Sequence, residues 1–295
     1  MQTVQEWFGC GERVRVSLNS AEYNIFCRVA GYGPWLTFLH GFPTCSWDWA
    51  KLVDRVQQRF RLLFFDFLGF GDSDKPEKHR YSIFEQADLT SRLWQHFGVE
   101  KTGVVAHDYG DTVALELLTR QKEGRMSTEI EKIVLLNGGV YVDFQRPLLI
   151  QRLLLKPLLG PLISHALNER VFKKRFASIF SRAHPISDSE LGQHWLAVHR
   201  HGGVRNTHRI IQYLAERRQN RARWETTLES TEVPIRFLWG LEDPVSGRNI
   251  SEQLRQRLSA ADLLELEDVG HYPQLEVPQR IADEITAAFH CLFEH

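Results

Sequence analysis

Three short motifs carry residues that could perform hydrolysis, and they follow one another in the order nucleophile, acid and base. Asp108 lies in the stretch VAHDYGD, Asp243 in WGLEDPV and His271 in VGHYP, each just after an apolar run. A carboxylate with an ordinary pKa of about 3.9 is anionic at neutral pH and attacks carbon without help from a base. A histidine oriented by an acid then activates water. The pattern predicts Asp108 as nucleophile, His271 as base and Asp243 as the acid.

The nucleophile motif has small residues two positions before and after Asp108, namely Ala106 and Gly110. A sharp strand-to-helix turn requires small residues there, because larger side chains collide where the chain doubles back. Taken alone, Asp108 fits a helix N-cap nearly as well. Its position before the acid and the histidine along the chain favours the role of nucleophile. The chain contains no GxSxG sequence, which disfavours a serine hydrolase.

Two backbone N–H groups are predicted to form an oxyanion hole beside the nucleophile. Phe42 lies in HGFP, directly after an apolar run, and Tyr109 follows Asp108. When water attacks the carbonyl of an ester on Asp108, negative charge develops on the carbonyl oxygen. Fixed N–H donors aimed at that oxygen stabilise it.

Apolar runs alternate with helical stretches over most of the chain. Short buried strands alternating with helices indicate an α/β fold with a mostly parallel, doubly wound sheet. The predicted strands are 13–18, 23–30, 35–40, 61–66, 102–107, 130–137, 235–240 and 262–266, and the predicted helices are 47–58, 84–97, 112–121 and 278–293.

The alternation is interrupted at residues 141–222, which have helical periodicity, leucine runs and many charges but no clear strand. This segment is predicted to be a helical cap inserted into a core formed by residues 1–140 and 223–295. Ligands in open α/β sheets bind outside the carboxyl ends of the strands. An insertion that leaves such an end is therefore expected to lie over the site as a lid.

Composition limits the partners and the compartment. A net charge of −1 gives no reason to expect nucleic-acid binding. The cysteines are scattered without metal-ligand spacing, which predicts free thiols, no metal, no cofactor and a cytoplasmic protein. The four are Cys10, Cys27, Cys45 and Cys291.

The leucine-rich residues 147–164 (PLLIQRLLLKPLLGPLIS) are broken by prolines and charges, and no run of about 20 apolar residues occurs. Cap helices are predicted here rather than a membrane span, and peripheral membrane contact is left open. The basic runs 173–175 and 217–223 are typical of solvated helix faces.

Several motifs together resemble the epoxide hydrolase and haloalkane dehalogenase branch of the α/β-hydrolases: HGFP, DFLGFGDSDKP, AHDYGD, GLEDPV and GHYPQLE. The longer stretches HGFPTCSWDW, YSIFEQADL, LLNGGV and HYPQLE are most similar to the mesoderm-specific transcript family and its bacterial relatives. The resemblance covers residues 38 to 278. It implies the α/β-hydrolase fold with an inserted cap, and hydrolysis through an alkyl ester on the nucleophile.

The leaving group separates the two activities of this branch. Dehalogenases hold halide with N–H donors, usually an indole after the nucleophile and an asparagine after HG, where this chain has Tyr109 and Phe42. An epoxide oxygen needs an O–H donor, and Tyr213 occupies a position resembling that of a cap tyrosine in epoxide hydrolases. The further candidates for binding the substrate or its leaving group are Tyr141, His40, His107 and Trp47.

Epoxide hydrolysis of a small apolar electrophile is therefore the first expectation. Haloalkane dehalogenation and attack on a strained ring such as a β-lactone stay open, as does a non-catalytic binding module on the same fold. Such a module is expected to have lost at least one of the three triad residues, and all three are present. The chain is expected to be a monomer or a homodimer.

Overall fold

A computed structural model describes residues 2–290. Its centre is one eight-stranded sheet in the order β1-β2-β4-β3-β5-β6-β7-β8. Only β2 runs antiparallel to its neighbours, so that the pairs from β4 to β8 are all parallel. The strands are β1 Glu12–Leu18, β2 Ala21–Ala30, β3 Trp35–Leu39, β4 Arg61–Phe65, β5 Lys101–His107, β6 Glu129–Leu136, β7 Ile235–Gly240 and β8 Asp262–Leu266.

Helices cover both faces of the sheet, because the central strands β3, β5 and β6 are apolar on both sides and fully buried over their second halves. The helices of the sheet domain are α1 Val4–Gly9, α2 Val53–Val56, α3 Ile83–Phe97, α4 Tyr109–Lys122, α12 Arg248–Arg257, α13 Pro273–Glu276 and α14 Pro278–His290. Between β6 and β7 lie α5 Leu149–Leu154, α6 Leu159–Ala166, α7 Glu169–Ala177, α8 Asp188–His199, α9 Thr207–Ile210, α10 Tyr213–Gln219 and α11 Arg221–Ser230.

The predicted α/β-hydrolase architecture is confirmed, with a mostly parallel sheet and an inserted helical segment. One predicted element is wrong. Residues 47–58 form a 3₁₀ turn, Ser46–Trp49, and the short helix α2 instead of one helix. The predicted last helix coincides with α14 as far as His290, and its final three residues, Cys291 among them, lie outside the described residues.

The inserted segment begins with a 3₁₀ turn at Val142–Phe144 and continues to the end of α11. The predicted boundary at 222/223 falls inside α11. That helix packs against α4, and the indole of Trp224 donates to Glu116 of α4 at 2.9 Å. By this contact the second half of α11 belongs with the sheet domain.

The sheet places four loops at one edge. The parallel strands β3, β5, β6 and β7 are neighbours, and their carboxyl ends lie side by side. Phe42 follows β3, Asp108 follows β5, Asn137 follows β6 and Asp243 follows β7. The segment α5–α10 leaves the same edge after β6, so it covers these loops.

Candidate active site

Asp108 occupies the turn between β5 and α4 with a φ of +48°. Residues with a side chain seldom adopt positive φ, and here the turn lifts the carboxylate above the end of the sheet. A Cβ on Gly110 would lie 2.3 Å from the carbonyl oxygen of Leu39. The need for a small residue two positions after the nucleophile therefore has a specific cause, the close approach of β3.

The backbone N–H of Phe42 donates to Oδ2 of Asp108 at 3.1 Å. Tyr109 supplies the first N–H of α4, where N–H groups lack partners within the helix. The Phe42 N–H is thus bonded to the Asp108 carboxylate, and the joint role of Phe42 and Tyr109 as an oxyanion hole stays a prediction. A Cβ on Gly41 would lie 2.6 Å from Nδ1 of His107 and 3.2 Å from Cβ of Asp108, so the β3 loop passes too close to these residues for a side chain at this position.

Asp243 and His271 form a buried pair, with 2.7 Å between Oδ2 and Nδ1. Oδ2 of Asp243 also accepts from the Ser246 hydroxyl at 2.7 Å, and Oδ1 accepts from the Val245 N–H at 2.7 Å. Burial alone would raise the pKa of Asp243, but His271 and these donors outweigh it and hold the pKa below its ordinary value. The carboxylate is therefore ionised and fixed in direction.

Asn137 ties the ends of β6 and β7 together beneath Asp243. Its amide accepts from the Gly240 N–H at 2.7 Å and donates to the Gly240 carbonyl at 2.8 Å and to Oδ2 of Asp243 at 3.1 Å. Its φ is +42°, a conformation that asparagine adopts more readily than most residues. Asn137 is a positioning residue for the acid.

The protonation of His271 is controlled by two carboxylates. Burial alone would lower the pKa of His271, but Asp243, followed by Asp108, raises it to about 9. In the resting protein at neutral pH the imidazole is therefore cationic between two anions. Any reaction that neutralises Asp108 removes one of the two charges that hold the proton.

The cap contributes Tyr213, whose ring packs against Tyr109 and Phe42 with centroid distances of 4.9 and 5.8 Å. Burial, followed by the charge of Asp108, raises the pKa of Tyr213. Its hydroxyl has no hydrogen-bond partner among residues 2–290. A buried O–H group costs free energy unless it is bonded, so this one is available to a bound molecule.

Arg217 lies one helical turn after Tyr213 and is buried, although arginine is almost never fully buried without partners. It donates to the backbone carbonyl of Asp108 at 3.2 Å and to Gln145 at 3.1 Å. Its guanidinium also lies 4.9 Å from the centre of the Tyr213 ring. The cap thereby places a positive charge directly behind the nucleophile.

Asp111, on the first turn of α4, is a second buried carboxyl group, close enough to Asp108 for their charges to interact. Burial, followed by the charge of Asp108, raises the pKa of Asp111 well above its usual range, and Arg217 opposes this rise. A Cβ on Gly138 would lie 2.1 Å from Oδ2 of Asp111, which explains the glycine after Asn137. Asp108 is thus accompanied by a carboxyl group with a raised pKa and by the guanidinium of Arg217.

An apolar cavity lies between the cap and the sheet edge. The core supplies Phe42, Val245 and His271 to its wall, and the cap supplies Leu154, Phe172 and Phe176. Since the backbone N–H of Phe42, a lining residue, donates to Asp108, the cavity ends beside that carboxylate. Its lining suits an apolar substrate.

Two of the predicted binding residues have structural positions instead. Both ring nitrogens of His40 contact backbone, because Nε2 accepts from the Phe67 N–H at 3.0 Å and Nδ1 lies 2.9 Å from the Gly41 carbonyl. Burial lowers the pKa of His40 to about 3, so it is neutral. The indole N–H of Trp47 donates to the Gln2 carbonyl at 3.1 Å and is not free for a leaving group.

His107 and Tyr141 also differ from the prediction. Nε2 of His107 lies 2.8 Å from the His271 carbonyl, so His107 supports the histidine loop and does not face the cavity. Tyr141 points away from Asp108. The guanidinium of Arg257 lies 4.6 Å from its ring centre, and burial and Glu229 raise its pKa.

Sequence patterns missed Asn137, Ser246, Asp111 and Arg217 as members of the site. Arg217 belongs to the basic run that was interpreted as a solvated helix face, and its burial has no sequence signal beyond its spacing of four residues from Tyr213. Asn137 was recognisable as a polar residue closing an apolar strand, next to two glycines.

No group of three or more potential metal ligands occurs within residues 2–290. Over the same range no helix is long and apolar enough to cross a bilayer.

Comparisons with known proteins agree with this fold. Residues 34–278 match the family model described as alpha/beta hydrolase fold. The chain is 36% identical to the putative hydrolase LipZ of Mycobacterium tuberculosis, over 95% of this chain and 96% of that protein. It is 39% identical to the human mesoderm-specific transcript homolog protein, over 85% of this chain and 77% of that protein.

Solved structures with a similar fold include haloalkane dehalogenase DbeA from Bradyrhizobium elkani, with a TM-score of 0.78, 19% identity, and coverage of 94% of this chain and 97% of that one. The epoxide hydrolase CorEH has a TM-score of 0.75 and 19% identity, covering 96% of this chain and 99% of that one. At this identity the structural likeness shows the fold alone.

Proposed function

The chain belongs to the alpha/beta hydrolase fold family, and we propose that it hydrolyses an epoxide through an alkyl ester on Asp108. The observation that carries the proposal is the carboxylate at the strand-to-helix turn. It accepts from the Phe42 N–H at 3.1 Å, Phe42 and His271 both line the cavity, and Tyr213 packs against Phe42 with its hydroxyl unbonded.

In the first step an Asp108 oxygen attacks an epoxide carbon, and the bond between that carbon and the ring oxygen breaks. Tyr213 gives its proton to the departing alkoxide. The carbon becomes esterified to Asp108, and the negative charge of the carboxylate is lost. The apolar cavity keeps water from the electrophile until the ester has formed.

The loss of negative charge on Asp108 makes His271 ready for the second step. Because Asp108 helps to raise the pKa of His271 to about 9, its esterification lowers that pKa and favours release of the imidazolium proton. This proton balances the one that Tyr213 has given up. His271 becomes a free base only when an ester is present to be hydrolysed.

In the second step His271 takes a proton from water, whose oxygen attacks the carbonyl carbon of the Asp108 ester. The N–H groups of Phe42 and Tyr109 stabilise the oxyanion. The intermediate then collapses, the diol oxygen takes the proton from His271, and the carboxylic acid formed on Asp108 returns a proton to His271. The sum is epoxide plus water giving diol.

The side-chain donors available to a leaving group favour an epoxide oxygen over a halide. The side chain after the nucleophile is a phenol, and the indole N–H groups of Trp47, Trp224 and Trp239 are bonded to Gln2, Glu116 and Ser246. The indole N–H of Trp49 is unbonded, but its ring packs against Phe38 in the core. A hydroxyl without a partner suits an alkoxide that must receive a proton. Haloalkanes are therefore the comparison substrates in the test.

A His271→Gln variant incubated with epoxides and with haloalkanes is expected to accumulate the ester, because general-base catalysis contributes about 10²–10⁴-fold to the step that removes it. Intact-protein mass spectrometry should show an adduct equal to the whole epoxide, mapped to Asp108 by peptide digestion. An adduct that has lost the halogen would identify a dehalogenase instead.

The control is the double variant Asp108→Ala, His271→Gln, which should form no adduct. If the folded His271→Gln protein gains no mass with any electrophile, the ester mechanism is wrong, and a non-catalytic binding module becomes the better explanation.

A further inference from the structure

The outer face of the α5–α6 region exposes large apolar side chains. The exposed fractions are 84% for Leu158, 68% for Leu162 and 66% for Leu149. Leu158 and Leu162 are four residues apart and share one face of α6. Leucine is normally buried, and an apolar cluster on a surface marks a site of interaction.

The segment that carries this cluster has an excess of positive charge. Residues 146–182 contain eight lysines and arginines and one acidic residue, although the whole chain has a net charge of −1. Within this stretch, all of which the structure describes, Lys173–Glu169 is the only ion pair. The basic residues are Arg146, Arg152, Lys156, Arg170, Lys173, Lys174, Arg175 and Arg182.

Part of the cavity wall comes from the same segment of the cap. Most of its wall is buried, and the wall residues that reach solvent are mainly cap residues of α5 and its flanks, with Arg175 of α7. Leu148 and Ile150 are half-buried there. The exposed leucines, the basic residues and the cavity entrance thus belong to one region of the cap.

We propose that the leucine-rich outer face of α5–α6, with the basic residues of 146–182, docks on the surface of an anionic lipid bilayer. Apolar side chains enter the headgroup region while lysines and arginines contact anionic headgroups. The excess of positive charge argues against a second copy as the occupant, since two such faces would repel each other. Apolar compounds dissolved in the bilayer would then lie next to the cavity entrance.

Vesicle sedimentation with the full chain tests this without reference to catalysis. Wild-type protein should pellet with phosphatidylcholine–phosphatidylserine vesicles and much less with phosphatidylcholine alone, and added salt should weaken binding because it screens the headgroup charge. The double variant Leu158→Glu, Leu162→Glu should bind about tenfold or more weakly.

The matched control is Tyr32→Glu. Tyr32 is 75% exposed and precedes β3, at the opposite edge of the sheet from the cap. It should bind vesicles like the wild type, and circular dichroism should show all variants folded. The proposal is overturned if wild-type protein stays in the supernatant, if Tyr32→Glu weakens binding equally, or if size-exclusion chromatography shows a dimer that the leucine substitutions dissociate.

Discussion

The sheet edge and the cap hold their functional side chains in different ways. At the sheet edge, the Asp243 carboxylate has four hydrogen-bond partners, and the Asp108 carboxylate already accepts a backbone N–H. On the cap side, the Tyr213 hydroxyl has no partner within residues 2–290, and Arg217 retains an unbonded Nε. The acid and the nucleophile are thus hydrogen-bonded without a ligand, whereas the cap holds buried donors without partners; at the sheet edge the Tyr109 hydroxyl also lacks a partner among residues 2–290.

This difference separates two tasks. Fully bonded groups fixed to strand ends change little on binding, which suits steps common to every substrate, such as water activation and oxyanion stabilisation. Unbonded donors on an inserted helix are suited to contact the part of the substrate that differs from one substrate to another. The comparison therefore predicts that substitutions at the sheet edge affect all substrates alike, and that substitutions in the cap discriminate between leaving groups.

The sheet edge should give the largest effect. In Asp243→Asn, an amide nitrogen cannot accept from His271, Ser246 and Asn137 as Oδ2 does. Loss of the orienting carboxylate costs about 10³–10⁴-fold in turnover. The pKa of His271 should fall below its value of about 9, because its strongest raising charge is gone; NMR titration measures this. Ser246→Ala keeps the carboxylate and should lose far less; equal losses would contradict the assignment.

Removal of the cap hydroxyl should give an intermediate effect. Tyr213→Phe keeps the ring contacts with Tyr109 and Phe42 but deletes the proton donor, so epoxide turnover should fall about 10²-fold. Steady-state kinetics with an epoxide measures this loss. Tyr141→Phe deletes another buried hydroxyl, next to Arg257, and should leave the rate unchanged. If both variants behave alike, the cap does not supply the donor.

The smallest effect on rate is expected at the junction of the two halves. Arg217→Met removes hydrogen bonds to the Asp108 carbonyl and Gln145, and should lower the free energy of unfolding by about 1.5–3 kcal/mol, with roughly tenfold slower turnover. Urea denaturation measures the first quantity. Arg218→Met, at an exposed position, should stay within about 0.5 kcal/mol of wild type. An unchanged stability of Arg217→Met would show that the buried charge is not required.

The elements that are clear apolar runs and end at glycine or polar residues were predictable. The strands that end at His107, Leu136 and Gly240 are continuous apolar runs followed by glycine or polar residues, and their ends coincide with the prediction within about a residue. The order of the motifs after them follows from the parallel sheet. Residues 47–58 were less predictable, since helical spacing does not show that the chain begins with a 3₁₀ turn.

Roles that depend on burial were not predictable. His40, His107 and Trp47 are polar residues in or near the motifs, yet their ring N–H groups and nitrogens serve backbone groups. Arg217 has the same residue type as the exposed Arg218 beside it. Whether a polar side chain faces the substrate or satisfies the backbone is decided by distant parts of the chain that pack against it.

The hydrogen bonds of Asn137 between β6 and β7 bear on how this site can change in evolution. Its amide lies 3.1 Å from the oxygen of Asp243 that His271 binds, and aspartate tolerates the same left-handed backbone as asparagine. Exchange of the two side chains would move the acid to the neighbouring strand while keeping an amide beside it. The acid could therefore follow either of two neighbouring strands of the same fold, and two substitutions would exchange one position for the other.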